Sequence, residues 1–273
     1  MITGKILGNR YVIHDTSADT SGFVPDMSAD TYYEVIRLIQ GKLLFLQDHL
    51  DRLERSLSGS GIVYPGNTRI IQNLRLLLRE NSFLEGNIRI CLQSSYGDEA
   101  RLSCYFIPYF YPDPMMYTQG VKLVIYPHVR PNPGIKKWDN QFRTSVSKYI
   151  LDHAVYEAAL INDHKQITEG SRSNIFYIDR KGRLITMPET KVLPGITRKY
   201  VMELAQGNGV ELLEEPVAVN ELERMASVFL TGTSPKVLPV RRINDKLFDV
   251  NHPLLQLLMD QFELLVQENL LLL

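Results

Sequence analysis

Three short segments carry residue types that could work together chemically. Ile167-Thr168-Glu169-Gly170-Ser171-Arg172-Ser173-Asn174 places a carboxylate beside a glycine turn. Leu193-Pro194-Gly195-Ile196-Thr197-Arg198 leads into a helical pattern, and the N-terminal turn of a helix offers unpaired N–H groups and a positive dipole end to an anion. Thr231-Gly232-Thr233-Ser234-Pro235 follows an apolar run, with glycine permitting close backbone approach and hydroxyls able to donate. Together they suit a phosphorylated ring with a protonatable nitrogen: Glu169 to hold the proton, and the turns holding Gly195, Thr197, Thr233 and Ser234 to hold the phosphate. Taken singly, each has a plainer reading. Thr197 would cap its helix, Thr231–Pro235 would be a loop, and Glu169 would be a solvated turn residue. Arg52 lies off the leucine face of its helix and could reach a phosphate as a planar fork, or it could simply be a surface arginine.

Two sets of elements must position these residues. In the first, Tyr32–Ile39 and Lys42–Leu46 read as strands joined at Gln40-Gly41. Asp48 is expected to cap a helix bearing Leu50, Leu53 and Leu57, which Gly59 and Gly61 stop. A second helix covers 68–80, and strands 88–93 and 101–107 flank a turn at Tyr96-Gly97-Asp98. In the second set, strands are expected at 121–126, 156–161, 174–178, 184–186 and 227–230, with helices at 141–152, 197–208, 220–225 and 253–269. The proline-bearing stretch Tyr109–Gln119 is the candidate linker. The expected division is a small α+β domain over 1–114, a linker at 115–119 and a larger domain over 120–273.

Bulk properties narrow the field. The 273 residues are 44% hydrophobic and 22% charged, with a formal net charge of −1, so nothing draws the chain toward nucleic acid or an anionic membrane. Six histidines are scattered without ligand-like spacing, and no metal site is expected. Cys91 and Cys104 are the only cysteines, which fits buried free thiols in a reducing cytosol better than a disulfide framework. The N-terminus lacks an apolar signal-peptide core, and the Leu270–Leu273 run is too short to span a bilayer. A soluble cytoplasmic protein is expected.

The chain resembles the fold-type IV, or class IV, pyridoxal-phosphate aminotransferases, a family that includes branched-chain and D-amino acid aminotransferases and aminodeoxychorismate lyase. Tyr33-Glu34-Val35-Ile36-Arg37, Gly41-Lys42-Leu43 and His49-Leu50-Asp51-Arg52-Leu53 are similar to its N-terminal signature. Tyr156-Glu157-Ala158, Glu169 to Phe176, Leu193 to Arg198, Glu214-Glu215, Phe229 to Thr233 and Pro239-Val240 continue the likeness. The resemblance implies an α+β fold like that of D-amino acid aminotransferase, with a small sandwich-like N-terminal domain and a larger pseudo-barrel domain. It further implies pyridoxal 5'-phosphate, an amino acid and a 2-oxo acid as substrates, and a homodimer. Lyase chemistry giving 4-aminobenzoate is the alternative, and a catalytically silent relative is another.

By that resemblance Glu169 partners the ring nitrogen, while Arg52, Ile196, Thr197 and Thr233 hold the phosphate. Leu193 packs against the ring, Tyr33 borders the substrate, and Ser171 to Asn174 shape the adjoining loop, with Arg172 in place of the small residue frequent in relatives. The family's chemistry also needs a lysine whose amine bonds the cofactor aldehyde and then moves a proton at the substrate Cα. Counting back 22 residues from Ala158 reaches Lys136, and Ile135 before it fits; a register shifted by one would promote Lys137 and bring Asn140 into the motif. Lys148 is a more distant alternative. For substrate carboxylates, Arg130 and Arg143 flank the lysine segment, and Arg89 and Arg101 lie on or near strands.

Overall fold

The structure, a computed structural model, describes residues 7–13, 15–21, 27, 30–94 and 100–273. It divides into two compact units. The first takes the chain up to Phe110 together with Ile135–Gln141 and Glu268–Leu273; the second is Tyr111–Gly134 with Phe142–Gln267. The units therefore differ from the contiguous domains expected from sequence. Residues 115–119, read as a linker, lie in a helix of the second unit, Pro114–Gln119, capped by the Asp113 side chain.

The first unit contains β1 (Leu7–Ile13), β2 (Thr16–Asp19), β3 (Thr31–Ile39), β4 (Lys42–Leu44), α1 (Leu46–Ser56), α2 (Asn67–Glu80), β5 (Gly86–Gln93) and β6 (Arg101–Ile107). The strands pair antiparallel in the order β4-β3-β5-β6-β1-β2. Side chains alternate across a strand, so β3 has two distinct faces. Tyr32, Ile36 and Leu38 join Leu50 and Leu53 of α1 and Ile70, Leu74 and Leu77 of α2 in the main core. Tyr33 faces the other way, with Cys91, Tyr105 and Ile107. Phe45 adopts a left-handed conformation (φ 51°), which ends β4 early and starts α1. Asp48 accordingly lies inside the first turn rather than at the cap, still at the favourable end of the helix dipole. The expected turn at Tyr96-Gly97-Asp98 falls outside the described residues.

The second unit contains α3 (Pro114–Gln119), β7 (Val121–Pro127), α4 (Asn140–Asp152), β8 (Glu157–Ile161), β9 (Gln166–Gly170), β10 (Asn174–Asp179), β11 (Leu184–Thr186), α5 (Ile196–Gly207), β12 (Leu212–Glu214), β13 (Val217–Ala218), β14 (Met225–Gly232), β15 (Lys236–Ile243), β16 (Lys246–Leu247) and α6 (Pro253–Glu268). Its sheet runs β12-β11-β10-β14-β15-β7-β8-β9-β13, with β16 beside β15. Parallel pairing is confined to β11–β12, β15–β7 and β7–β8. Ile167, Ile175, Tyr177, Val217, Val228, Leu230, Leu238 and Val240 converge on one apolar cluster, as expected of a sheet curled round a common interior. On the opposite face of β10 and β14, Phe176 stacks on Phe229 at 5.2 Å, and α5 packs against β14. The segment expected to be helical at 220–225 is a 3₁₀ turn, Val219–Arg224. After α6, β17 (Leu270–Leu271) pairs with β4 and belongs to the first unit.

Candidate active site

In the first unit the lysine segment extends β3. Tyr33 N–H donates to the Lys136 carbonyl at 3.1 Å, Trp138 N–H donates to the Thr31 carbonyl at 2.8 Å, and Lys137 bridges Tyr32 antiparallel. The Lys136 N–H also donates to Ser56 Oγ of α1 at 3.4 Å. Because side chains alternate, Lys136 and Trp138 share the Tyr33 face and Lys137 takes the other. Lys136 Nζ lies 5.0 Å from the Tyr33 ring centre. Lys137 instead pairs with Asp30 at 3.1 Å, its side chain 41% exposed. The pleat, not the motif spacing, separates the two lysines. Lys148, on α4, pairs with Asp152 at the surface.

Arg89 of β5 occupies the same face. It is 4% exposed, and its guanidinium lies 5.6 Å from the Tyr33 ring, 6.0 Å from Tyr105 and 5.0 Å from Trp138. Its Nε has no hydrogen-bond partner, and among the described residues no carboxylate pairs with it. A buried cation ringed by aromatics, with no anion beside it among the described residues, is the kind of group that receives a ligand carboxylate. The sequence singled out Arg89 only as an arginine on a strand. What makes it distinctive is the aromatic set brought from β3, β6 and the lysine segment, which local sequence does not reveal.

On the helix side of β3, Glu34 is fully buried beneath α1. Arg52 donates from Nε to Oε1 and from Nη2 to Oε2 of Glu34, both at 2.7 Å, and His49 Nδ1 lies 2.7 Å from Oε2. Burial alone would raise the Glu34 carboxyl; the Arg52 charge and the hydrogen bonds from His49 and Arg52 outweigh it and hold the group well below the usual carboxylate range. Burial pushes the His49 imidazole down, Glu34 opposes that, and the Arg52 and Lys136 charges add to it. Arg52 is thus 4% exposed and forked onto Glu34, not a surface arginine. His49, Arg52 and Ser56 recur along α1 at helical spacing, a buried polar stripe between the leucines that a search for apolar periodicity alone passes over.

In the second unit Glu169 closes β9 and is 3% exposed. Arg130 Nε donates to its Oε1 at 2.6 Å and the Leu193 N–H to its Oε2 at 3.2 Å. The neighbouring turn is braced from several sides. Arg143 Nη1 donates to the Ser171 carbonyl at 2.7 Å, and buried Glu157 accepts from Ser171 Oγ at 2.5 Å and from Ser173 Oγ at 3.4 Å. Asn174 Nδ2 donates to the Leu193 carbonyl at 2.9 Å, tying β10 to the loop before α5. Arg130 and Arg143 therefore both serve the Glu169 turn in this structure.

That loop ends at the uncapped start of α5. Gly195 precedes the helix with no side-chain cap, and the first intrahelical bond runs from Lys199 N–H to the Gly195 carbonyl. The amides of Ile196 and Thr197 precede it, and both residues are buried. Arg198, in the same turn, is drawn to Glu214 at 2.7 Å, Glu189 at 3.6 Å and the Met187 carbonyl at 3.1 Å. Thr231, opposite Asn174 in the β10–β14 ladder and on the same face, is 1% exposed with its Oγ1 unpartnered. Thr233 and Ser234 lie in the tight turn joining β14 to β15, not in a strand-to-helix loop. The amides at the start of α5, the orphaned Thr231 hydroxyl and Gly195, where a Cβ would meet Asn174 Oδ1, fit a phosphate group. Among the described residues no cluster of His, Cys, Asp and Glu could hold a metal ion, and no helix is long and apolar enough to cross a membrane.

Comparison with known proteins gives the family. The amino-transferase class IV profile matches residues 31–243, and the chain belongs to that family. It is 29% identical over 263 residues to a putative branched-chain-amino-acid aminotransferase of Methanocaldococcus jannaschii, covering 90% of each chain. It is 25% identical to the aminodeoxychorismate lyase of Bacillus subtilis, covering 78% of this chain and 77% of the other. The branched-chain amino acid aminotransferase of Thermobaculum terrenum, solved in its PLP form, superposes with a TM-score of 0.82 at 20% identity over 97% of this chain and 96% of that one. That likeness establishes the two-domain α+β fold expected from the sequence.

Proposed function

We propose that this chain is a pyridoxal 5'-phosphate-dependent aminotransferase that moves an amino group between an amino acid and a 2-oxo acid. The observation carrying this reading is the pleat that turns Lys136 onto the Tyr33 ring, where the buried Arg89 guanidinium also lies. When bound, the cofactor supplies an aldehyde for the lysine and a ring that accepts electrons. Lys136 would hold the cofactor through its amine and would take and return the proton at the substrate Cα. Arg89 receives a substrate carboxylate, and the rings of Tyr33 and Trp138 exclude water around it. Glu169 holds a proton on the ring nitrogen. The amides of Ile196 and Thr197, the hydroxyls of Thr197 and Thr233 and the guanidinium of Arg52 are the groups that would hold the phosphate, Leu193 would face the ring, and Gly195, Ser171, Asn174 and Ser234 would shape the surrounding turns. Arg130 and Arg143, weighed from sequence as substrate residues, act instead on the Glu169 turn. The family resemblance and two buried, unpaired cysteines support a homodimer in a reducing cytosol.

The deciding experiment is borohydride trapping of the purified protein with pyridoxal phosphate, followed by peptide mass mapping. Wild type and Lys137→Ala trap the cofactor at Lys136, and Lys136→Ala traps none. Trapping at residue 137 would move the register by one. The trapped-competent protein is then mixed with a panel of L- and D-amino acids. Release of a 2-oxo acid with conversion of the cofactor to its amine form marks a transaminase, whereas pyruvate released from aminodeoxychorismate marks the lyase chemistry of the Bacillus subtilis relative.

A further inference from the structure

Arg130 is bound into the site in a way the proposed reaction does not require. It follows β7, its guanidinium lies 5.9 Å from the Phe142 ring centre, and the His128 ring stacks on Phe142 at 3.9 Å. From that platform its Nε reaches Glu169 Oε1 at 2.6 Å, while the backbone amide of Leu193 holds Oε2. Two donors from separate segments fix the carboxylate plane as well as its position. A carboxylate only 3% exposed is also stabilised by a paired countercharge.

We propose that Arg130 is a positioning residue that acts through Glu169, supplying the countercharge and aim with which Glu169 meets the cofactor ring nitrogen. This rests on the cofactor reading above. Because Arg130 acts on the carboxylate that meets the cofactor, its effect appears in cofactor binding as well as in turnover.

The test is a double-mutant cycle on equilibrium binding of pyridoxal phosphate, followed by fluorescence quenching and by the absorbance bands of the bound cofactor at one fixed pH. Arg130→Gln weakens binding by about tenfold, the scale of one lost charge-assisted hydrogen bond, and alters the ratio of the two bands. Arg130→Lys, which restores a cation but not the fork, recovers part of both. On a Glu169→Gln background the same Arg130→Gln change costs less than about twofold, because the partner is already gone. Equal losses on both backgrounds, or no loss in the native background, overturn the inference. Thermal melts of the unloaded proteins check folding, and Arg130→Lys carries the cycle if Arg130→Gln does not fold. Wild-type protein that takes up no pyridoxal phosphate would instead overturn the cofactor reading, and this inference with it.

Discussion

Glu34 shows how one buried side chain can set the acid behaviour of a whole fold. It is fully enclosed, yet Arg52 and His49 occupy both its oxygens. Its folded pKa lies below the ordinary 4.5, and that of His49 lies below the ordinary 6.5. In each window the unfolded chain binds more protons, so stability falls as pH drops. The His49 share is complete above pH 6.5 and is lost below it; the Glu34 share begins to go below 4.5. Urea midpoints should be level from pH 8 to 7 and decline from there downward. Glu34→Gln leaves Arg52 buried without its anion, and about 3 kcal/mol of stability at pH 7 should be lost, with a shallower decline below pH 4.5. An acid limb unchanged by Glu34→Gln would show that other groups carry it. The same residue scale separates Lys136 from Lys137. Motif spacing left both open in the sequence, because the distinction depends on the register in which the segment pairs with β3.

At the scale of elements, the start of α5 depends on what seats the loop before it. Asn174 holds the Leu193 carbonyl, and a Cβ on Gly195 would run into the Asn174 amide oxygen. Gly195→Ala should therefore evict the amide and weaken pyridoxal phosphate binding by roughly fivefold, the scale of one neutral hydrogen bond. Asn174→Ala should do the same without crowding, and adding Gly195→Ala to it should change the affinity little further. Strictly additive losses in fluorescence-monitored titrations would mean the two residues act separately. Helices with a clear apolar period were legible in sequence, as Leu50 and Leu53 of α1 and Ile70, Leu74 and Leu77 of α2 show. Short strands such as β12, β13 and β16 were not. Two or three residues carry too little alternation to signal a strand, and only a neighbour's ladder defines them.

At the scale of the molecule, both compact units draw on distant stretches of chain, and no local pattern announces this. Residues 135–141 and 268–273 belong to the first unit although the sequence on either side of the lysine segment, and before the tail, builds the second. Pairings of such long sequence separation are invisible to periodicity, which is why a contiguous boundary at 114 looked sufficient. The tail illustrates the consequence. Leu270 and Leu271 pair with Leu44 and Leu43, the Asn269 carbonyl accepts from the Phe45 N–H at 3.2 Å, and Leu273 packs on the core formed by α1 and α2. Phe45 is the left-handed residue from which α1 starts, so the tail supports the helix that carries His49 and Arg52. Removing residues 269–273 uncovers the β4 edge and strips Leu273 from the core, costing about 2–3 kcal/mol. Hydrogen exchange should then quicken across residues 42–56 while β14 and β15 keep their protection. Uniform quickening in both units would mean that the tail stabilises the chain as a whole; confinement to β4 and α1 ties the final residues to the Glu34–Arg52 pair.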